Sequence, residues 1–148
     1  MCNNTDLARY PLVTQLAFGS VDYCADLGRA HSREALLAAR SELLLASRLA
    51  GIAPPLDGVT TDLTDPGVIA EDACHARQLG TGDKMCIHPA QVAAVRMALR
   101  PTDAEVDWAR RVMAAGNGAV TLDGEMVDTP VRLRAAAVLR SLSTGEPR

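Results

Sequence analysis

Aromatic side chains are scarce in this chain: one Phe, one Trp and two Tyr among 148 residues, or 3%. Leu, Val, Ile and Ala must therefore fill the interior. There is also no concentration of Lys and Arg, and the formal net charge is -3. A broad pull toward phosphate backbones or anionic lipid needs clustered positive charge, so nucleic acid and membrane surfaces are disfavoured as partners. No apolar run is long enough to span a bilayer. The first residues, MCNNTDLARY, have no basic start leading into an apolar stretch, so nothing signals export and a cytoplasmic location is expected.

Cys2, Cys24, Cys74 and Cys86 form no C-x-x-C pair, which removes the spacing of a zinc knuckle or a redox motif. Reduced thiols are expected, with a disulfide framework as the minor alternative. What remains, 48% hydrophobic and 22% charged residues, is the composition of an ordinary globular protein. The length fits one domain.

The pattern along the chain alternates short apolar runs with helical periodicity. Leu12–Phe18 (LVTQLAF) reads as a buried strand opening at Gly19 into a loop that carries Asp22 and Asp26. Ser32 caps a helix through Ala50, with Gly51 ending it. Asp57–Leu63 (DGVTTDL), after the breakers Pro54 and Pro55, reads as a second strand. Thr64 or Asp65 caps a second helix, with Pro66 in its first turn and Gly80 after Leu79. Lys84–Ile87 (KMCI) is a third strand, ended by His88-Pro89, and Gln91–Leu99 a third helix.

Strands alternating with helices of this length imply βαβ units, a parallel sheet and an α/β fold. Ligands in such folds sit at the C-terminal strand ends, where Asp22, Asp62 and His88 fall. Beyond Pro101 the pattern changes. Thr102 and Glu105 form a capping box that opens a helix, and Gly116-Asn117-Gly118 stops it. Ala119–Leu122, Asp123-Gly124 and Glu125–Val127 read as a hairpin, and Asp128-Thr129-Pro130 starts a last helix.

Four ordered motifs, FGSVDYCADLG (Phe18–Gly28), APPLDGVTTDLTDP (Ala53–Pro66), KMCIHPAQV (Lys84–Val92) and LDGEMVDTPV (Leu122–Val131), together resemble the second half of citrate lyase beta-subunit-like proteins in the HpcH/HpaI aldolase family. The resemblance runs from about Leu12 to Leu142. Members are TIM-type (β/α)₈ barrels that cleave or form a C–C bond beside a carbonyl, many of them on CoA thioesters; malyl-CoA and citryl-CoA lyases are the implied relatives. On that resemblance, residues 1–100 are the last three βα units of a barrel and residues 101–148 a helix–hairpin–helix lid. A whole barrel takes about 250 residues, so the chain reads as truncated. Its activity would then need the other half from elsewhere. The rival readings are a non-catalytic remnant that self-associates or pairs with a partner to cover its sheet edges, and a small independent α/β binding module.

The resemblance also assigns residues. Asp22 matches a carboxylate ligand of a divalent metal, and Mg²⁺ suits a site of one or two carboxylates completed by water and substrate oxygens; the alternative is a turn cap. The family's second carboxylate, a Glu, and its enolate-stabilising Arg have no positions in this sequence. His88 and Pro89, with Gln91 in the I-H-P-x-Q motif, are expected on the CoA-side rim, or else in a local backbone turn. Asp83 stands where the family usually has glycine before the strand lysine. Asp57 is expected to contact substrate or CoA, or else to stabilise the barrel. Asp128 matches an acid/base aspartate on the lid, or caps the last helix. The expected partners are a small oxo acid, an acyl-CoA, and either further copies of the chain or a complementing N-terminal half. Ser20, Ser32 and the three histidines show no nucleophile–base spacing, and His31 and His75 are expected at the surface.

Overall fold

The computed structural model describes residues 3–116 and 120–143. It divides into two compact units, Met1–Leu99 and Arg100–Arg148.

In the first unit, the long helix α3 (Arg33–Ala50) forms as its sequence requires. The Ser32 side chain accepts from the Ala35 amide at the start, and Gly51 takes the left-handed conformation at the end. The same logic sets α4 (Pro66–Leu79): Asp65 accepts from the Gly67 and Val68 amides, Pro66 occupies the first turn, and Gly80 closes it at φ 97°. Helix α5 (Gln91–Leu99) follows the third strand. Two short helices go beyond the periodicity reading. Asn3 caps α1 (Asn4–Ala8), and α2 (Ser20–Leu27) occupies the segment expected to be a loop after the first strand.

Strands β1 (Gln15–Ala17), β2 (Ala53–Asp57) and β3 (Asp83–Lys84) form a parallel sheet in the order β1-β2-β3. The second strand corrects the sequence reading: it runs through Pro54 and Pro55 and ends at Asp57, instead of starting there. Proline normally interrupts a central ladder because it lacks the N–H. Here the register slips between Gln15 and Ala17, and the Gln15 side chain donates to the Pro54 carbonyl at 2.7 Å. The first strand is also shorter than expected, because Leu12 takes a φ of 76° in a turn and is 98% exposed. The third strand pairs over Asp83–Lys84 and retains only Lys84 of the expected Lys84–Ile87, with Met85 N–H still donating to the Asp57 carbonyl.

Leu16, Phe18, Leu36, Ala39, Leu43 and Ala46 pack one apolar cluster where β1 meets α3, and Ile69, Ala73 and Val95 pack another between α4 and α5. Apolar burial of this kind contributes roughly 25 cal/mol per Å² removed from water. No helix among the described residues is long and apolar enough to cross a membrane.

The second unit is a helix–hairpin–helix. The capping box of Thr102 and Glu105 opens α6 (Asp103–Ala114). Strands β4 (Val120–Leu122) and β5 (Glu125–Val127) pair antiparallel around Asp123-Gly124, both at positive φ as a two-residue hairpin turn requires. Helix α7 (Thr129–Ser143) closes the unit, its Ala135 packing with Ala109, Val112 and Val127. Arg134 lies 5.0 Å over the Trp108 ring. The expected helix stop at Asn117-Gly118 and the hairpin's first residue, Ala119, fall outside the described residues.

Candidate functional site

Because the three strands are parallel, their C-terminal ends open on one edge of the sheet. Ser20 and Asp22 after β1, Val59 and Thr61 after β2, and Met85 and Ile87 after β3 line a cleft of about 370 Å³ there. Asp22 lies in the first turn of α2, where the helix dipole favours an anion. The side chain is exposed and folds back over the turn: a Cβ on Gly19 would meet its Oδ2 at 3.4 Å. The sequence reading put Asp22 at this strand end but in a loop, where the structure has the first turn of α2.

The cleft wall contributed by the β2 loop rests on a buried polar network. Asp57 is 1% exposed, and Arg40 grips both its oxygens, with Nε donating to Oδ1 at 2.7 Å and Nη2 to Oδ2 at 3.1 Å. Lys84, whose side chain is fully enclosed, spends its ammonium hydrogens on Asp57 Oδ2 at 3.2 Å, Asp72 Oδ2 at 2.8 Å and the Gly58 carbonyl at 2.6 Å. An ammonium group has three donors, so this lysine is satisfied. Gln91 completes the wall. Its amide donates to the carbonyls of Thr60 and Asp62 at 2.9 and 2.8 Å, and its Oε1 accepts from the Ile87 amide at 3.0 Å. The glutamine of the I-H-P-x-Q motif thus staples the exit of β3 to the exit of β2.

Burial alone would raise the Asp72 carboxyl, but hydrogen bonds from Lys84 and Thr60 outweigh it and hold the group below the usual carboxylate range. His75 is pushed down, first by desolvation and then by Arg40 and Arg33. It is half-buried, with Nε2 enclosed, which corrects its expected surface position. Both shifts have the same sign for stability, since each group binds protons more weakly folded than unfolded. The His75 contribution is complete above about pH 6.5, and the Asp72 contribution above about pH 4; each is lost as pH falls through its own folded value. Urea midpoints are expected to begin falling below about pH 6.5 and to fall more steeply below about pH 4. His75→Gln should remove only the first decline; an identical profile in that variant would take His75 out of the account.

The other expected site residues are placed as follows. Asp57 ends β2 but is enclosed, with both oxygens engaged by Arg40 and Lys84, so it presents no free group to a ligand. His88 and Pro89 are exposed beyond β3, and His88 Nδ1 accepts from the Ala90 amide at 3.2 Å, the local turn that sequence reasoning held as an alternative. Asp62 is likewise occupied locally by the Asp65 and Thr64 amides, which lower its carboxyl. Asp128 belongs to the second unit, where its Oδ1 accepts from the Val131 amide at 3.2 Å and caps α7.

Two arrangements were missed. Ser20 Oγ and His31 Nε2 are hydrogen-bonded at 3.0 Å. The Arg40–Asp57–Lys84–Asp72 network was the other, and it had a signal: Arg40 falls on the same face of α3 as Leu36, Ala39 and Leu43, and a cation on an apolar stripe needs a buried partner.

Among the described residues, no three or more His, Cys, Asp or Glu side chains gather as a metal cluster. Mg²⁺ binds through one or two carboxylates and keeps several waters. An exposed carboxylate at the cleft therefore fits one corner of such a site, not a closed cage.

Fold and cleft together define an α/β protein whose acidic turn and stapled loops meet at the C-terminal edge of a parallel sheet. The chain belongs to the HpcH/HpaI aldolase/citrate lyase family, whose model matches residues 2–89. It is 40% identical over 146 residues to the citrate lyase subunit beta-like protein of Deinococcus radiodurans, covering 93% of this chain and 51% of that protein. It is also 40% identical over 133 residues to citrate lyase subunit beta of Escherichia coli, covering 84% and 44%. Among solved structures, the CitE protein of Mycobacterium tuberculosis, in complex with magnesium, acetoacetate and coenzyme A, superposes with a TM-score of 0.84 at 34% identity, over 95% of this chain and 56% of that one. The chain spans about half the length of the curated relatives it matches.

Proposed function

We propose that this chain supplies the metal-binding edge of a magnesium-dependent C–C lyase that cleaves or forms a 3-hydroxyacyl-CoA-type ester reversibly. The observation that carries the reading is Asp22, an exposed carboxylate in a cleft at the C-terminal ends of parallel strands. Support comes from the family and from the CitE structure with magnesium, acetoacetate and coenzyme A.

In this reading, Asp22 holds Mg²⁺ at the cleft. When bound, the cation supplies Lewis-acid stabilisation of charge developing on an oxo-acid oxygen. The chain's own residues build the surroundings: Lys84 and Gln91 fix the β2 loop as a wall, and His88 and Pro89 stand exposed on the rim proposed for CoA. Asp57 serves by holding Arg40 and Lys84 in place, not by touching ligand. Asp128 is the proposed acid/base group of a lid formed by the second unit, and its capping bond leaves Oδ2 for that role. Residues 1–100 are proposed as the last three βα units of a barrel.

The test is a magnesium titration, with and without oxaloacetate or glyoxylate, read by thermal shift. The wild-type melting temperature is expected to rise with cation concentration as binding to the folded state requires, and Asp22→Ala to show no rise. An equal rise in both proteins would remove Asp22 from the site.

A second reading is favoured by a different observation: an assembly-dependent or non-catalytic chain that self-associates or pairs with a complementing half. The sheet ends at β1 and β3, and a groove of about 480 Å³, lined in part by Leu7, Val13 and Gln15, runs beside β1. An uncovered strand edge is a template for pairing. Sedimentation would show a species larger than the monomer if this edge is used.

A further inference from the structure

We propose that His31 is a positioning residue: through Ser20 it fixes the turn of α2 that presents Asp22 to the cleft. The value of this for function rests on the metal reading of Asp22, but the clamp itself does not.

Helix α2 has only 8 residues, and its N-cap position is Gly19, which offers no side-chain cap. The usual fastening of an N-terminal turn, a Ser, Thr, Asp or Asn oxygen on the second or third amide, is therefore missing. The first helical residue is fastened instead. Ser20 is 1% exposed, and its Oγ meets His31 Nε2 at 3.0 Å. Gly58 also crowds Ser20: an added Cβ there would lie 2.1 Å from Ser20 Oγ. Ser20 is thus held between the β2 loop and the α2–α3 connection, with Asp22 two positions further along the same turn.

His31 is well placed to act as the anchor. It precedes Ser32, the cap of the 18-residue helix α3, so the bond ties a short uncapped helix to a long capped one. One residue before His31, the Ala30 carbonyl accepts from Cys24 Sγ at 3.5 Å, a second tie between α2 and that loop. The pair does not have the build of a hydrolytic dyad: no carboxylate backs His31 among the described residues, and Ser20 Oγ is enclosed.

The experiment compares wild type, His31→Leu and His31→Gln in two readouts. Without metal, amide exchange at Tyr23, whose N–H donates to the Gly19 carbonyl at 2.9 Å, reports the α2 turn. His31→Leu is expected to speed it by about five- to tenfold, the equivalent of one lost hydrogen bond, while amides in the middle of α3 are unchanged. His31→Gln, which keeps a hydrogen-bonding end, should restore most of the protection. Unchanged Tyr23 exchange in His31→Leu overturns the clamp. With Mg²⁺ alone as the probe, calorimetry is expected to show His31→Leu binding about five- to tenfold more weakly than wild type. Faster exchange with unaltered magnesium affinity overturns the positioning role. A wild-type chain that binds no magnesium ends the metal reading and the functional half of this proposal together, while the exchange result decides the clamp by itself.

Discussion

Lys84→Met is expected to lower the stability of the folded chain by about 3–5 kcal/mol, the cost of breaking a buried ion pair by removing one partner. The reason lies in what the substitution leaves behind. Asp57, with its side chain fully enclosed, would keep only Arg40; Asp72, 17% exposed, would lose its 2.8 Å ammonium partner; and the Gly58 carbonyl would lose a 2.6 Å donor. Methionine fills similar space, so the loss measures charge and hydrogen bonding rather than a cavity. Urea unfolding monitored by circular dichroism gives the number. A loss under about 1 kcal/mol, the range of exposed ion pairs, would mean that water reaches the network and that the β2 loop does not depend on it. Asp72→Asn should cost less than Lys84→Met, because Asp72 is partly solvated and the asparagine oxygen can still accept from the Thr60 hydroxyl, which donates to Oδ2 at 2.6 Å.

The same residues show how far the sequence could be read. Ser32, Asp65, Thr102 and Asp128 bound helices where the sequence reading placed caps, because capping depends on a few adjacent residues. The strands were read less well. All three are short, spanning Gln15–Ala17, Ala53–Asp57 and Asp83–Lys84, too brief for a clear period, and β2 contains two prolines that local rules assign to a break. The register slip opposite them and the bond from the Gln15 side chain accommodate the prolines, and both depend on a partner some 40 residues away.

The candidate site divides in the same way. Asp22 and His88 were located by their place after apolar runs, which is local information. That Asp57 is an enclosed counter-ion and not a rim group depends on Arg40 and Lys84, which lie 17 and 27 positions from it. The Ser20–His31 bond depends on an α2 helix that was read as a loop.

Gly58→Ala should be the most damaging single methyl group that can be added to this cleft. The added Cβ would stand 2.1 Å from Ser20 Oγ, 2.4 Å from Ser20 Cβ and 3.2 Å from the Phe18 carbonyl oxygen. Rotating a hydroxyl relieves the first contact only; the second requires the α2 turn or the β2 loop to move. Overpacking of this kind typically costs 1–3 kcal/mol, and here the displaced turn carries Asp22. Thermal unfolding is expected to show the loss, and the magnesium response of the variant should shrink with it. Ser20→Gly separates crowding from any other effect of the substitution, because it removes both of the closest atoms. In that background Gly58→Ala should cost at least about 1 kcal/mol less than it does in wild type, a coupling of the size seen between residues in contact. Strict additivity of the two changes would show that Gly58 is not packed against Ser20, and the β2 loop would then have no hold on the turn that bears the candidate ligand.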